Sequence, residues 1–313
     1  MTGINWADWG LTEPIQMEPV KGGLINTSLR AKWSSGEVRF VQRLNKRIFP
    51  NTDAIEHNLN QVSEHTLAAL TVIPFRRQDG CIHSPDGWRV FPWIEASSAS
   101  LSAQELGELW GNVNAKLFMH PTDWQTVLPN FHSAAVRWNH WQAVQSKVPS
   151  EYYALLQSLN YWSAHFLQLE SKLLPAVQHH DAKRSNVLNS AVGLRVIDLD
   201  TLQPGYLGSD FADLVRSTAA LRAEDDPESN SADAEVVQAA WSGYTSTFRL
   251  ALDHADTLRQ MPAYVTWIQA LRFATDATCG NGYYQVDYPE HNWVRAKNQL
   301  QLLQSFMEIH ARS

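Results

Sequence analysis

The segment that most constrains this chain is QHHDAKRSNVLNSAVGLRVIDLDTLQPG, which runs from residue 178 to residue 205. It places a His-x-Asp ending in Asp181 five residues before Asn186, and an apolar run then ends in Asp198 and Asp200. Polar side chains at such offsets within strand-like sequence indicate a functional site. A carboxylate on a loop can accept the proton of a hydroxyl, and carboxylate and amide oxygens are the ligands that magnesium prefers. The segment therefore predicts a proton acceptor at Asp181 and a metal site at Asn186 and Asp198.

The same order of residues is used by two-lobed phosphotransferases, in which a His-x-Asp loop precedes an asparagine and then a metal-binding aspartate after a strand. Phosphoryl transfer requires positioning and neutralisation of charge, and Lys183, two residues after Asp181, could reach the transferred phosphate. Two alternatives remain open. One is a buried polar network around His179, and the other is a hydrolytic metal centre built from His179, His180 and Asp181. The second lacks a further histidine cluster at ligand spacing.

Length and composition exclude several classes of protein. The 313 residues are 44% hydrophobic and include 13 tryptophans, which suits a large packed core and not a disordered chain. The formal net charge of -7 disfavours non-specific binding to nucleic acid or to an anionic membrane. Cys81 and Cys279 are far apart in sequence and predict reduced thiols. Because there is no signal-like start and no apolar run near roughly 18 residues, we expect a cytoplasmic protein; the oligomeric state stays open.

The first third of the chain has the pattern of a small sheet with one helix. Alternating apolar residues on both sides of a turn at 34–36 predict a hairpin. A helix is predicted within residues 51–70, because Ile55, Leu59, Val62 and Leu70 recur at helical spacing and Asn51 or Thr52 could cap it. Two further strands are predicted at 71–75 and 87–93.

Beyond residue 100 the apolar residues recur at helical spacing, and the segment 178–205 interrupts this pattern with short strands. The pattern predicts helices at 101–118, 133–144, 152–173, 210–221, 232–258, 263–275 and 291–310. We therefore predict an α+β fold with two domains, a nucleotide-binding lobe at 1–96 and a helical lobe at 97–313 that carries the catalytic loop and the acceptor site.

Several segments resemble one known family. HHDAKRSNVL and VIDLDTLQPG are similar to segments of the aminoglycoside phosphotransferase and choline kinase superfamily. GGLINTS, FVQRLNKRIFPN, GWRVFPWIE, LPNFHSAAVR, RFATDATCGNGYY and YPEHNWVRAKNQLQLL resemble more narrowly the branch that includes N-acetylhexosamine 1-kinase. The resemblance extends over residues 20–305 and implies a protein-kinase-like two-lobed fold. It also implies an enzyme that moves the γ-phosphate of ATP, with Mg2+, to a hydroxyl of a small molecule.

The resemblance also implies roles for individual residues. It makes Asp181 the catalytic base and Asn186 and Asp198 magnesium ligands, while Asp200 is either a further ligand or a partner that supports the site. Arg43 takes the place of the usual phosphate-binding lysine, and either Glu64 or Glu56 would pair with it from the helix. The remaining nucleotide contacts are assigned to a Gly-rich loop, for which a plain strand turn is the alternative, and to the segment that joins the lobes: Gly22, Gly23, Asn26, Thr27, Ser28, Trp93, Ile94 and Glu95.

The acceptor site is expected among polar residues of the family-like helical segments, although packing or capping is an alternative role for each of them. The candidates are His132, Arg137, Arg272, Asp276, His291 and Asn292. Since cations and carboxylates are mixed in these segments, we expect a neutral acceptor, a sugar or an N-acetylamino sugar. Two alternatives remain, a kinase of the same fold that acts on an amino alcohol or aminoglycoside, and a nucleotide-binding pseudoenzyme with a regulatory role.

Overall fold

A computed structural model describes residues 3–20, 25–64, 66–119 and 123–312. The chain forms two compact units, which we call the sheet unit and the helical unit. The sheet unit comprises 1–100, 120–129 and 185–203, and the helical unit comprises 101–119, 130–184 and 204–313. Residues 185–203, which lie beyond the predicted boundary at 96, thus group with the sheet.

The sheet unit contains an antiparallel sheet with strand order β1-β2-β3-β4, one long helix and a separate hairpin of two strands. Its elements are β1 Gln16–Pro19, β2 Thr27–Lys32, β3 Val38–Arg43, α1 Thr52–Glu64, β4 Trp88–Pro92, β6 Val187–Ser190 and β7 Gly193–Val196. The predicted hairpin is therefore confirmed as β2 and β3, and the last predicted strand as β4. The strand β1 precedes residue 20 and was not predicted.

The core of the sheet lies on the face covered by the N-terminal segment. Trp6 packs edge-on against Trp33, with ring centroids 5.4 Å apart, next to buried Val41 and Val90. The helix α1 buries Ile55, Leu59 and Val62, as its spacing predicted. The side chain of Asn51 accepts a hydrogen bond from the amide of Ala54, so the predicted cap is confirmed.

One predicted strand, at 71–75, is wrong. Only Thr71 forms a bridge, a parallel one to Val196, and the amide of Val72 donates to the carbonyl of Val196 over 2.9 Å. Pro74 explains the early end, because proline has no amide hydrogen to continue a ladder.

The helical unit is built mainly of helices, together with two short paired strands. Its elements are α2 Ala103–Met119, α3 Ala134–Val144, α4 Tyr153–Tyr161, α5 Ser163–Glu170, β5 Pro175–Gln178, β8 Gln203–Tyr206, α6 Ser209–Ala219, α7 Ala234–Thr247, α8 Ala255–Thr278 and α9 His291–His310. The first residue of β8 belongs to the sheet unit.

Three predicted helices differ from the structure. The predicted helix at 152–173 is two helices, α4 and α5. The predicted break between 258 and 263 is absent, because α8 continues through Pro262. The chain leaves the helical conformation instead at Phe248, with φ -124° and ψ 79°. Along α9 the buried residues include Leu302, Leu303 and Phe306, whereas Leu300 is only half-buried.

The helices α2 and α7 pack with their backbones in close contact. A Cβ atom at Gly107 would lie 2.3 Å from the carbonyl oxygen of Ala240, and one at Gly243 would lie 2.1 Å from that of Gln104. Only glycine fits at such distances. Within the described residues, no helix is both long enough and apolar enough to cross a membrane.

Candidate active site

The loop that carries Asp181 follows β5 and is held by a buried carboxylate from the start of α6. Asp210 accepts hydrogen bonds from the amide of His179 at 3.0 Å and from the amide of His180 at 2.7 Å. It also accepts one from Asn114 at 2.6 Å, and Asn114 in turn accepts from the hydroxyl of Tyr244. His180 has a φ of 66°, which few non-glycine residues adopt. Asp210 therefore fixes the backbone of the loop immediately before Asp181.

His180 pairs with a second buried histidine. The Nδ1 atoms of His180 and His132 lie 3.2 Å apart, so one ring donates to the other. Burial, followed by the charge of His180, holds the pKa of His132 well below its usual value, so His132 is neutral at neutral pH. A Cβ atom at Gly205 would lie 2.2 Å from the His180 ring, so this close approach requires glycine.

The remaining polar groups of the loop contact one another. The side chain of His179 accepts from the amide of Asp181 at 3.3 Å and packs edge-on against Trp110. Lys183 Nζ lies 2.8 Å from Asp181 Oδ2, and both side chains are partly exposed. The lysine that was predicted to reach phosphate therefore also contacts the predicted base. The alternative of a hydrolytic metal centre at this loop would need the rings of His179 and His180 as ligands. Both rings already contact protein groups.

A second carboxylate, Asp213, lies on α6 one turn after Asp210. Its side chain accepts from Arg216 at 2.8 Å, and Arg216 also contacts Glu224 at 3.1 Å. Burial raises the pKa of Asp213, the charge of Asp181 raises it further, and Arg216 opposes both effects. Neither Asp210 nor Asp213 was predicted from the sequence.

Two of the predicted acceptor residues, Arg137 and Arg272, both contact Phe131. Arg272 lies over the rings of Phe131, Tyr283 and Tyr284, with distances to the ring centroids of 5.5, 5.8 and 5.5 Å. Arg137 donates to the carbonyl of Phe131, and burial, followed by the charge of Arg272, lowers its pKa. Among the described residues, neither arginine forms an ion pair with a carboxylate.

The other acceptor candidates have roles within the fold. Asp276 accepts from the amides of Tyr283 and Tyr284, at 2.9 and 3.0 Å, and from the side chain of Asn292. It therefore holds the segment after α8 in place and is engaged by protein groups, as the capping alternative predicted. His291 lies 3.1 Å from Asp225, which also pairs with Arg295, so the positive charge of that arginine is compensated.

The predicted magnesium ligands both belong to the sheet unit. Asn186 is 5% exposed and lies directly before β6, and its carbonyl accepts from the amide of Ile197 at 3.0 Å. This bond brings the backbone of Asn186 next to the residue that precedes Asp198. Asp198 is exposed and has a left-handed backbone with φ 61°. The two residues thus supply an amide and a carboxylate, the donors that suit magnesium.

Asp200 is buried and engaged by protein groups, while its predicted role as a further metal ligand or as a supporting partner stays a prediction. It is 1% exposed and receives Arg89 Nη1 and Nη2, each at 2.6 Å. Asn26 donates to the same carboxylate at 3.0 Å and accepts from the amide of Asn45, so both ends of its side chain are engaged within the protein, and its predicted contact with phosphate stays a prediction. Arg89, the second residue of the strand sequence WRVFP, was not predicted.

Arg43 does not form the predicted pair with a glutamate. Its Nε donates to the carbonyl of Asp86 at 3.1 Å, and its guanidinium lies 5.7 Å from the centroid of Trp88. Among the described residues, Glu56 pairs with His83, and Glu64 is exposed at the end of α1. Arg43 does lie opposite Thr27 in the β2–β3 register, so these two candidates are neighbours.

The segment predicted to hold adenine follows β4. Trp93 donates to Glu95 at 2.7 Å, while Arg30 lies over the Trp93 ring, and Ile94 is half-buried. Ser28 accepts from the side chain of Gln42 on β3. Gly22 and Gly23 lie outside the described residues, so their predicted phosphate contact stays a prediction.

The chain combines a small antiparallel sheet, many helices and an aspartate loop that buried hydrogen bonds hold in place. These features are those of the class of kinase-like phosphotransferases. The chain belongs to the phosphotransferase enzyme family, whose pattern matches residues 16–269. It is accordingly a small-molecule phosphotransferase with a hydroxyl acceptor.

Solved structures support the fold. An aminoglycoside phosphotransferase from Alicyclobacillus acidocaldarius is similar with a TM-score of 0.65 and 14% identity, over 98% of this chain and 95% of that one. A choline kinase from Cryptosporidium parvum is similar with a TM-score of 0.58 and 14% identity, over 98% of this chain and 92% of that one. An amicoumacin kinase, solved in complex with AMP-PNP, Ca2+ and Ami, is similar with a TM-score of 0.59 and 12% identity, over 96% of this chain and 90% of that one. These similarities confirm the predicted α+β, protein-kinase-like fold.

Proposed function

We propose that this enzyme transfers the γ-phosphate of ATP, with magnesium, to a hydroxyl of a neutral sugar or N-acetylamino sugar. The observation that carries the choice of acceptor is the pair Arg137 and Arg272, which both contact Phe131 and have no carboxylate partner among the described residues. The proposal includes the resemblance to the N-acetylhexosamine 1-kinase branch and a cytoplasmic location, where ATP is available.

The charges near these arginines disfavour a cationic acceptor. An aminoglycoside or choline needs anionic or aromatic walls with few competing cations. Here Asp276 is engaged by two backbone amides and Asn292, and Asp225 is engaged by Arg295 and His291. Guanidinium groups can donate to hydroxyl and acetamido oxygens, and the rings of Tyr283 and Tyr284 offer apolar surface for a sugar.

Asp181 acts as the base in this proposal. Its carboxylate accepts the proton of the acceptor hydroxyl while the new O–P bond forms, and the bond between the γ-phosphorus and the bridging oxygen breaks to release ADP. Lys183, which contacts Asp181 Oδ2, keeps the carboxylate oriented. Asp210 keeps the preceding backbone in place, so that little rearrangement is needed during transfer.

Asn186 and Asp198 would hold magnesium, since both supply hard oxygen donors. The hydrogen bond that the amide of Ile197 donates to the carbonyl of Asn186 fixes the backbone of Asn186. When bound, the ion neutralises charge on the phosphates. Arg43 and Thr27, neighbours across β2 and β3, and the segment of Trp93, Ile94 and Glu95 are proposed to contact the nucleotide.

The proposal is tested by comparing kcat/KM for N-acetylhexosamines, hexoses, choline and kanamycin under identical ATP and magnesium. We expect N-acetylhexosamines or hexoses to be preferred, with kanamycin and choline poor or inactive. A preference for a cationic acceptor would overturn the sugar assignment and favour the alternative kinase of the same fold. Magnesium-dependent nucleotide binding without transfer to any acceptor would favour the pseudoenzyme.

A further inference from the structure

The sheet unit contains an ion pair that is almost completely buried. The side chains of Arg89 and Asp200 are each 2% exposed, and the two guanidinium nitrogens Nη1 and Nη2 face the two carboxylate oxygens at 2.6 Å. Arg89 Nε and Nη2 also donate to the side chain of Gln42 on β3, at 3.1 and 2.5 Å. Nη2 donates a hydrogen bond to Oδ2 and Nη1 completes the ion pair at Oδ1, so the contact fixes orientation as well as distance.

Stability alone is a weak explanation for such a pair. Removing two charges from water offsets most of their attraction, and apolar residues of similar volume often stabilise a fold equally well. The value of the pair therefore lies in what it holds in place.

The pair holds the turn that follows the proposed metal ligand. Asp200 lies in a short 3-10 helix, Leu199–Thr201, which begins directly after Asp198. Asp198 has a φ of 61°, and a non-glycine residue keeps such a backbone only where its surroundings enforce it. Beyond the turn, Asn58 donates to the carbonyl of Leu202 at 2.8 Å.

The same carboxylate also contacts the start of β2. Asn26 Nδ2 donates to Asp200 Oδ2 at 3.0 Å, and Asn26 Oδ1 accepts from the amide of Asn45 at 2.9 Å. Asn26 thus links Asp200 to the segment that was predicted from the sequence to contact phosphate. One carboxylate joins the turn of the metal ligand, the strand β4 and the entry to β2.

We propose that Arg89 and Asp200 are positioning residues that set the affinity for magnesium by fixing the backbone of Asp198, and that Asn26 links the same carboxylate to the start of β2. The inference rests on the proposed function, because it assigns Asp198 to magnesium. It predicts that the pair matters for metal binding even after its contribution to folding has been replaced.

The test compares a charge-removing variant with an apolar replacement of the whole pair. Asp200→Asn leaves the guanidinium of Arg89 buried without its counter-charge, so it should lower both the melting temperature and the magnesium affinity. Arg89→Met/Asp200→Leu removes both charges and should recover much of the melting temperature. Magnesium affinity, measured by calorimetry with AMP-PNP in excess, should stay about tenfold or more weaker, as for the loss of groups that orient metal ligands.

Two further variants keep the test decisive. Arg89→Lys retains the charge but not the contact through two nitrogens, so its magnesium affinity should fall between those of the wild type and Asp200→Asn. Arg77→Met/Asp8→Asn disrupts a partly buried ion pair of the same unit, with an N–O distance of 2.9 Å, and should leave magnesium affinity unchanged.

The outcomes separate this inference from the proposed function. If the wild type binds AMP-PNP without any effect of magnesium, the proposed function fails and the inference fails with it. If the wild type shows magnesium-dependent binding and a folded Arg89→Met/Asp200→Leu variant, or Arg89→Lys, binds magnesium as tightly, only the inference is overturned.

Discussion

At the scale of single residues, the structure divides the aspartates of the motif by environment. Asp198 is exposed, whereas Asp200 is buried in an ion pair. Asp181 is partly exposed and contacts Lys183, while the loop beside it is held by Asp210. Residues of the same type therefore have different proposed roles: base, metal ligand and support.

Substitution of the base should separate chemistry from binding. Asp181→Asn retains the shape of the side chain but cannot accept the proton, so kcat should fall by about a hundredfold or more. Its nucleotide affinity should remain near that of the wild type, whereas Asp198→Asn should weaken binding of magnesium and nucleotide together. Steady-state kinetics and calorimetry measure the two effects. Full turnover by Asp181→Asn would contradict its role as the base.

The buried histidine pair should make stability depend on pH. Burial lowers the pKa of His132 in the folded state, and the charges of His180, Arg272, Arg216 and Arg137 lower it further. The unfolded chain therefore binds a proton that the folded chain excludes. This contribution to stability is fully present above the unfolded pKa of roughly 6.5 and is lost as the pH falls below it.

One such proton changes the free energy of unfolding by up to about 1.4 kcal/mol per pH unit. Urea titrations of the wild type between pH 7.5 and 5.5 should show this slope, and His132→Gln should show a shallower one. His140→Gln, which removes an exposed imidazole of α3, is the control. Equal slopes for the wild type and His132→Gln would contradict the assignment.

At the scale of elements, α6 is the part of the helical unit that supports the catalytic loop. Asp210 satisfies two amides of the loop, and a buried amide without a partner costs about 1–3 kcal/mol. Arg216, also on α6, contacts Asp213 of the same helix and Glu224, which lies beyond its end. Two hydrogen bonds thus join the beginning of α6 to the Asp181 loop.

Asp210→Asn should therefore reduce both stability and turnover. We expect a loss of about 2 kcal/mol in the free energy of unfolding and a lower kcat, with nucleotide affinity retained. Asp233→Asn is a matched control, because Asp233 also accepts from two backbone amides, at the start of α7. That variant should lose about 1 kcal/mol as a helix cap without a change in kcat. If the two variants had the same kcat, the supporting role of Asp210 would be wrong.

The same scale explains which parts of the fold were predictable. Helices such as α3 and α9 have local sequence signals. At the start of α3, Ser133 accepts a hydrogen bond from a backbone amide, and α9 has apolar residues at helical spacing along its length. The break at Phe248 and the continuation of α8 through Pro262 depend on packing, which overrides local preference. Asp210 and Arg89 were missed because their partners lie 31 and 111 residues away, and no local pattern encodes such contacts.

At the scale of the whole molecule, the chain belongs to the phosphotransferase enzyme family and has the protein-kinase-like fold of enzymes that act on chemically different acceptors. The motif in residues 178–205, together with the strand-rich region before it, predicted this class, since the proposed base and the proposed metal ligands are close in sequence. The proposed acceptor site draws on residues of α3 and α8, which are far apart in sequence, so composition and spacing indicate only the charge of the acceptor.

The most direct test of the central claim needs no knowledge of the acceptor. The melting temperature is measured with AMP-PNP alone, with magnesium alone and with both. A ligand present at 100 times its Kd stabilises a protein by about 2.7 kcal/mol. We predict that magnesium and nucleotide together raise the melting temperature by several degrees, and that either one alone raises it far less. A melting temperature that is the same under all conditions would contradict a magnesium-dependent nucleotide phosphotransferase.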